Sequence, residues 1–406
     1  LSNDVDWKLA RSVAGRVSNP DPRFAEPPVR DDLESDLLEL TTQAEELVEA
    51  ETGLVSLAGP AKARVTDRIG WVDANLASFN RLVGPLLHRL HEEEQSMNGD
   101  GSDDEPGFFD RVGATLTETM PFGHRLAPVV GPAVRGVGST VGGAVNDASG
   151  YLSPKVAGLE VGALLGWMSG RVLGQYDLLI IEDERPEDQD WVYYVGPNIL
   201  MLEERYAFPA REFRLWIAVH ECTHRAQFTG VPWLRPYFLS LVNELLDSVD
   251  PDPKRLLETL RTAMEQRRNG NGPTLADGGL SMLLATPEQR TTLNKVSGLM
   301  SLLEGHGDIT MDRAAVDLIP SQARFHKVMS QRRKNASGVS KLIQRLTGLE
   351  AKLAQYEEGE NFVKTVEAAG GRSLFDEVWA GPENLPTIDE IRDPDLWIAR
   401  IGACVR

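Results

Sequence analysis

The sequence predicts a mainly α-helical protein with a small β element, an α+β fold. Three observations lead there. Amphipathic stretches with recognisable helix caps occupy both ends of the chain. Short β-branched and aromatic runs bounded by Gly, Pro and Asp are confined to the middle. A chain of 406 residues with 41% hydrophobic and 25% charged composition is that of an ordinary globular protein with a substantial core.

Charge and cysteine content narrow the partners. With 42 basic against 61 acidic residues the formal charge is −19, which repels phosphate backbones and anionic lipid, so nucleic acid is not expected as a partner. The two cysteines, Cys222 and Cys404, make no disulfide framework and fit a reducing, cytoplasmic setting. The first residues are charged and unlike a targeting segment.

In chain order, residues 1–95 read as an N-terminal helical lobe. Asp31 to Ala50 carries Leu33, Leu37, Leu40, Leu47 and Val48 at helical spacing, and Val65 to Leu90 continues in the same manner. Residues 96–110 are an acidic, Gly-containing run that cannot bury apolar surface and is expected to be a mobile loop. The pair His88 and His91, three apart, lacks any acid or cysteine at ligand spacing. Residues 111–406 form the third region. Its Gly- and Ala-rich start places Gly158, Gly162, Gly166 and Gly170 on one helix face, a device for close helix packing. Arg135, Asp147, Lys155, Glu160 and Arg171 interrupt this apolar stretch, so no membrane span is expected. Leu178–Ile181 and Trp191–Asn198 are the best strand candidates.

The next helix carries the chemistry. Pro209 suits its first turn, Phe213, Trp216, Ile217 and Phe228 provide an apolar stripe, and Gly230 with Pro232 stops it. Within it lies His220-Glu221-Cys222-Thr223-His224, an H-E-x-x-H motif. Positions i and i+4 lie about 40° apart around a helix, so both imidazoles project from one face and can share a metal ion. Glu221 projects beside them, where a carboxylate can act as general base. Cys222 falls on the opposite face and reads as a buried packing thiol.

A catalytic zinc site needs a third protein ligand and keeps a fourth position open. Residues 225–230 read Arg-Ala-Gln-Phe-Thr-Gly, so no further histidine follows nearby and the ligand must come from elsewhere. A second helix opens at Thr286-Pro287-Glu288-Gln289 with the signature of a capping box. Its apolar face, Leu293, Val296, Met300 and Leu303, leads to Glu304-Gly305-His306-Gly307-Asp308. Glu304 and Asp308 share a face; His306 is rotated by roughly 200° from Glu304 on a continuous helix, but its flanking glycines could distort the helix, so both Glu304 and His306 stand as candidates.

H-E-x-x-H followed by E-x-x-x-D resembles the glutamate-type zincins, thermolysin-like peptidases among them, although the interval between the motifs is longer here than in thermolysin. That resemblance implies Zn²⁺ held by His220, His224 and Glu304, with Asp308 steadying His220 from behind. A closer likeness is to a mostly actinobacterial family of zincin-like metallopeptidases, zincin type 2, some members of which carry a label for deazaflavin-coenzyme biosynthesis. It rests on Asp67-Arg68-Ile69-Gly70-Trp71-Val72, Val172-Leu173-Gly174-Gln175-Tyr176-Asp177, Val195-Gly196-Pro197-Asn198, His220–Arg225, Leu302–Asp308 and Gly381-Pro382-Glu383-Asn384-Leu385-Pro386. The acidic loop and Cys222 depart from the pattern without removing a ligand. Residues 111–406 are then a zincin-like catalytic region with C-terminal helices.

The resemblance implies hydrolysis of a peptide or related amide bond by zinc-activated water, with Glu221 as general base and a peptide or protein as substrate. It also implies an edge strand that aligns the substrate backbone, expected at Tyr193 to Val195. Zincins supply a further donor to the oxyanion; His326, Arg225, Tyr193 and Tyr194 are of the right type, and none has a spacing argument behind it. The alternative is a noncatalytic, metal-stabilised scaffold or partner-binding protein. The sequence has no G-x-S-x-G elbow, P-loop, C-x-x-C pair or Rossmann fingerprint, and Gly136-Val137-Gly138 follows no strand, so no residue speaks for a bound nucleotide or deazaflavin.

Overall fold

The computed structural model of the chain describes residues 5–19, 21–78, 80, 84, 154–177, 190–248, 286–334 and 349–404. The expected acidic loop at 96–110, the lobe boundary at residue 95, the pair His88 and His91 and the strand Leu178–Ile181 lie outside the described residues. Helices predominate: α1 (Trp7–Val17), α2 (Pro27–Thr52), α3 (Pro154–Ser169), α4 (Gly196–Tyr206), α5 (Ala210–Gly230), α6 (Leu234–Asp247), α7 (Pro287–Ala314), α8 (Gln322–Lys334), α9 (Leu349–Phe375), α10 (Ile388–Arg392) and α11 (Pro394–Cys404). Three short strands, β1 (Lys62–Thr66), β2 (Gly174–Tyr176) and β3 (Trp191–Val195), form the β element. Among the described residues no helix is long and apolar enough to cross a membrane.

The chain divides into two compact units interleaved in sequence. One comprises Leu1–Val17, Asn75–Gly166 and Val249–Gly272; the other comprises Ser18–Ala74, Trp167–Ser248 and Pro273–Arg406. In the first, α1 buries Trp7, Ala10, Val13 and Ala14. Its backbone lies so close to α3 that a Cβ at Gly162 would stand 2.3 Å from the Ala10 carbonyl oxygen, and one at Gly158 would stand 2.5 Å from that of Asp6. The small-residue face therefore serves close helix packing, as its spacing suggests.

The second unit is built around α5, which buries Phe213, Ile217, Ala218, Val219, Cys222 and Phe228. It packs against α2, α7 and the sheet, and Leu33, Leu37, Leu40, Ala44 and Val48 of α2 join the same core. Arg225 anchors this packing from inside: its buried guanidinium donates to Asp190, Glu45 and the Gly59 carbonyl, so its own charge is paired where water cannot reach it.

The sheet has the order β1–β3–β2, with β1 parallel and β2 antiparallel to β3. Two expectations are corrected here. Val65 belongs to β1, paired with Tyr194, and the helix begins only at residue 68. Tyr193 to Val195 form the middle strand, hydrogen-bonded on both sides, so they cannot be the substrate edge; among the described residues the outer strands are β1 and β2. The chain leaves β3 at Val195 and enters α4 with Pro197 in its first turn, a position that needs no backbone donor.

Buried polar contacts hold β2 in place. The Asn198 amide donates to the carbonyls of Ser169 and Val172 at 2.7 and 2.6 Å, while its oxygen accepts from Arg68 at 2.8 Å. The indole of Trp71 donates to Gln175 at 2.7 Å. On the other side of α5, the expected capping box starts α7: Thr286 Oγ1 accepts from the Gln289 amide and Gln289 Oε1 accepts from the Thr286 amide. α7 crosses α9 at Gly305 and Gly359, where a Cβ on Gly359 would lie 1.9 Å from the Ser301 carbonyl oxygen.

Candidate metal centre

α5 and α7 bring three donors together. His220 Nε2 and His224 Nε2 are 3.2 Å apart, and Glu304 Oε2 lies 3.9 Å from the first and 3.6 Å from the second. A point equidistant from these atoms lies about 2.1 Å from each, within the usual range for zinc bonded to imidazole and carboxylate. Two imidazoles and one carboxylate suit Zn²⁺ in both donor type and separation. Among the described residues the cluster contains three metal-type donors, and all three keep part of their surface in solvent. Such a set leaves room for a fourth, non-protein ligand.

Glu221 is buried beside the triad, and β2 explains how it is held. Val195 and Asp177 donate to the carbonyls of Leu173 and Trp191, which directs the polar groups of Leu173 and Asp177 towards β3. Gly174 and Tyr176, out of phase with these, face the opposite way. The Tyr176 amide spends its hydrogen on Glu221 Oε2 at 3.0 Å. At Gly174 a Cβ would come within 2.7 Å of Glu221 Oε1, so glycine makes room for the carboxylate. Burial is the main influence raising the Glu221 carboxyl to about 7, with Glu304 adding to it and His224 and the Tyr176 amide opposing.

Partial burial of His224 disfavours its charge, but the hydrogen bond and attraction to Glu304 outweigh this and lift it to about 9. A proton and a metal ion therefore compete for the same place between His224 and Glu304. His306, the other candidate for third ligand, is not part of the triad. It is 6% exposed, stacks on Phe375 and meets Trp379 edge-on, and desolvation lowers its pKa to about 3. The helix is continuous through Gly305 and Gly307, so the rotation argued from the sequence holds.

Asp308 lies half-buried one turn beyond Glu304. The preceding Gly307 faces the motif histidines, its Cβ position being 3.7 Å from His220 Nδ1 and 3.6 Å from His224 Cε1. The residues considered for an oxyanion donor each have other contacts. Arg225 is locked between Asp190 and Glu45, Tyr194 is fully buried against Thr41, the Arg64 guanidinium approaches the Tyr193 ring, and His326 contacts Asp312 at 2.8 Å. Cys222 is a buried thiol facing the Thr41 carbonyl on α2, away from the metal donors.

Sequence reasoning missed Gln227, whose Oε1 lies 3.0 Å from His224 Nδ1. It stands three residues after His224 and so shares its helix face, a signal present in the sequence. The role of Gly174 and Tyr176 was missed as well, although both belong to one of the segments that carried the family likeness.

Residues 5–398 match the family model described as zincin-like metallopeptidase. No curated protein matches the chain at a significant level. A crystal structure from Chloroflexus aurantiacus, described as that of a candidate hydrolase with a novel fold, is similar at 28% identity with a TM-score of 0.61, covering 98% of this chain and 99% of that one. The chain belongs to the zincin-like metallopeptidase family.

Proposed function

From that membership we propose that the protein is a zinc metallopeptidase that hydrolyses peptide or related amide bonds, with His220, His224 and Glu304 holding one Zn²⁺ and Glu221 acting as general base. The observation that carries the reading is the three-donor cluster, partly open to solvent, with a buried carboxylate held beside it. When bound, zinc supplies Lewis acidity towards a carbonyl and makes water a competent nucleophile near neutral pH.

Glu221 does the proton work. Its Oε2 is fixed by the Tyr176 amide, and a carboxyl poised near neutrality can take a proton from attacking water and return it to the departing amine. Asp308 is assigned to steady His220, as a ligating imidazole needs an acceptor behind it. β3 is paired on both sides, and Glu221 takes up the outward side of β2 at Gly174 and Tyr176, so neither strand offers these positions to an extended substrate. A purely structural metal would call for a fourth protein ligand, and among the described residues the cluster has three.

The test compares wild type with Glu221→Gln on an unbiased peptide library read by mass spectrometry. Glu221→Gln keeps an acceptor for the Tyr176 amide, so it should retain zinc and thermal stability while losing at least about a hundredfold in rate. Cleavages confined to wild type support the reading. Equal cleavage by both proteins contradicts the role of Glu221.

A further inference from the structure

Behind His224 runs a second line of hydrogen bonds. Gln227 is fully buried, with Oε1 3.0 Å from His224 Nδ1 and Nε2 3.0 Å from the Leu303 carbonyl oxygen and 2.9 Å from His306 Nδ1. The Leu303 oxygen can only accept, so it fixes which end of the amide is nitrogen. The second hydrogen of that nitrogen then points to His306 Nδ1, which must accept and leaves the His306 proton on Nε2. The amide oxygen is consequently turned to His224 Nδ1 and can only accept from it.

The direction of the whole line is therefore set by a backbone carbonyl of α7. Turning the Gln227 amide over would set its oxygen against the Leu303 oxygen and its N–H against His224 Nδ1. His224 would then carry its proton on Nε2, the atom that faces His220 and Glu304, and could not offer a lone pair there. His306 closes the line from the far side, held by its stacking on Phe375 and by Trp379 at its edge.

We propose that Gln227, oriented by the Leu303 carbonyl and His306, is a positioning residue that fixes the ring orientation and tautomer of His224 for metal binding. The proposal rests on the metal-site reading above. It gives His306 the task of supporting a ligand in place of being one. It also makes the two histidines of the motif differ, since His224 is steadied from its own helix and from α7 together.

The experiment uses the full chain loaded with Zn²⁺ alone. Chelator competition should show Gln227→Met binding zinc about 10 to 100-fold more weakly than wild type, the ordinary effect of losing a partner behind a ligand. Gln227→Glu, which keeps an oxygen facing His224 but sets a second oxygen against the Leu303 carbonyl, should recover only part of that loss. Histidine ¹⁵N NMR adds a readout that general destabilisation does not move. In wild type, His306 should carry its proton on Nε2 at neutral pH, and a protected His224 Nδ1–H signal should be present and disappear in Gln227→Met.

A wild-type His306 protonated on Nδ1 overturns the proposal even if Gln227→Met fails to fold. So does undiminished zinc affinity in Gln227→Met with the His224 signal intact. A wild type that binds no zinc overturns the metal-site reading itself, and the positioning role falls with it.

Discussion

His220 and His224 sit one turn apart on α5, and what stands behind each ring separates what could be read in the chain from what could not. That His220 and His224 share one helix face, and Glu304 and Asp308 another, was legible because helical spacing alone puts them there. Of Gln227 only its spacing from His224 was legible, because its meaning depends on the Leu303 carbonyl and on His306, both contributed by a different helix. Gly174 was illegible for the same reason: its value lies in what a side chain there would strike. Asp308 is assigned to support His220 without touching the metal. Asp308→Ala should then weaken zinc affinity by about 10 to 100-fold without abolishing binding, as measured by chelator titration. Unchanged affinity would place Asp308 outside the site.

Among elements, α5 and α7 announced themselves through caps and apolar stripes, whereas β1 and β2 did not. Five and three residues are too few to show a period, and both strands are fixed by pairing with β3, which comes later in the chain. Pairing also decided which strand is central, which removes β3 as a substrate edge. The crossing of α7 and α9 depends on Gly305 and Gly359, and Gly359→Ala would press a methyl group into the backbone of Ser301. A loss of about 1–3 kcal/mol in chemical denaturation is expected. Zinc binding should weaken as well, because Glu304 rides on the displaced helix.

The α7–α8 contact between Asp312 and His326 gives a pH signature. Burial opposes charge on both, but their mutual hydrogen bond wins, raising His326 and lowering Asp312. The His326 contribution is thus fully present below its unfolded pKa near 6.5 and is lost as pH rises through the higher folded value; that of Asp312 is present above its unfolded pKa and lost on acidification. Because both side chains are partly exposed, His326→Gln should cost only about 0.5–1 kcal/mol near pH 6, and less at pH 9. Thermal denaturation at the two pH values checks this, and an equal loss at both would remove the ion pair from the account.

At the scale of the whole molecule, the metal donors come from two helices of one compact unit, so binding and folding are linked. The central claim is that His220, His224 and Glu304 hold a single zinc with one position left for a non-protein ligand. Zinc X-ray absorption on the loaded wild type, with elemental analysis of wild type, His224→Ala and Glu304→Ala, tests it most directly. The account predicts about one zinc per chain in wild type, four nitrogen and oxygen neighbours at about 2.0–2.1 Å, and loss of the metal in both variants. A sulfur neighbour at about 2.3 Å, or full zinc occupancy in a folded Glu304→Ala protein, would contradict it.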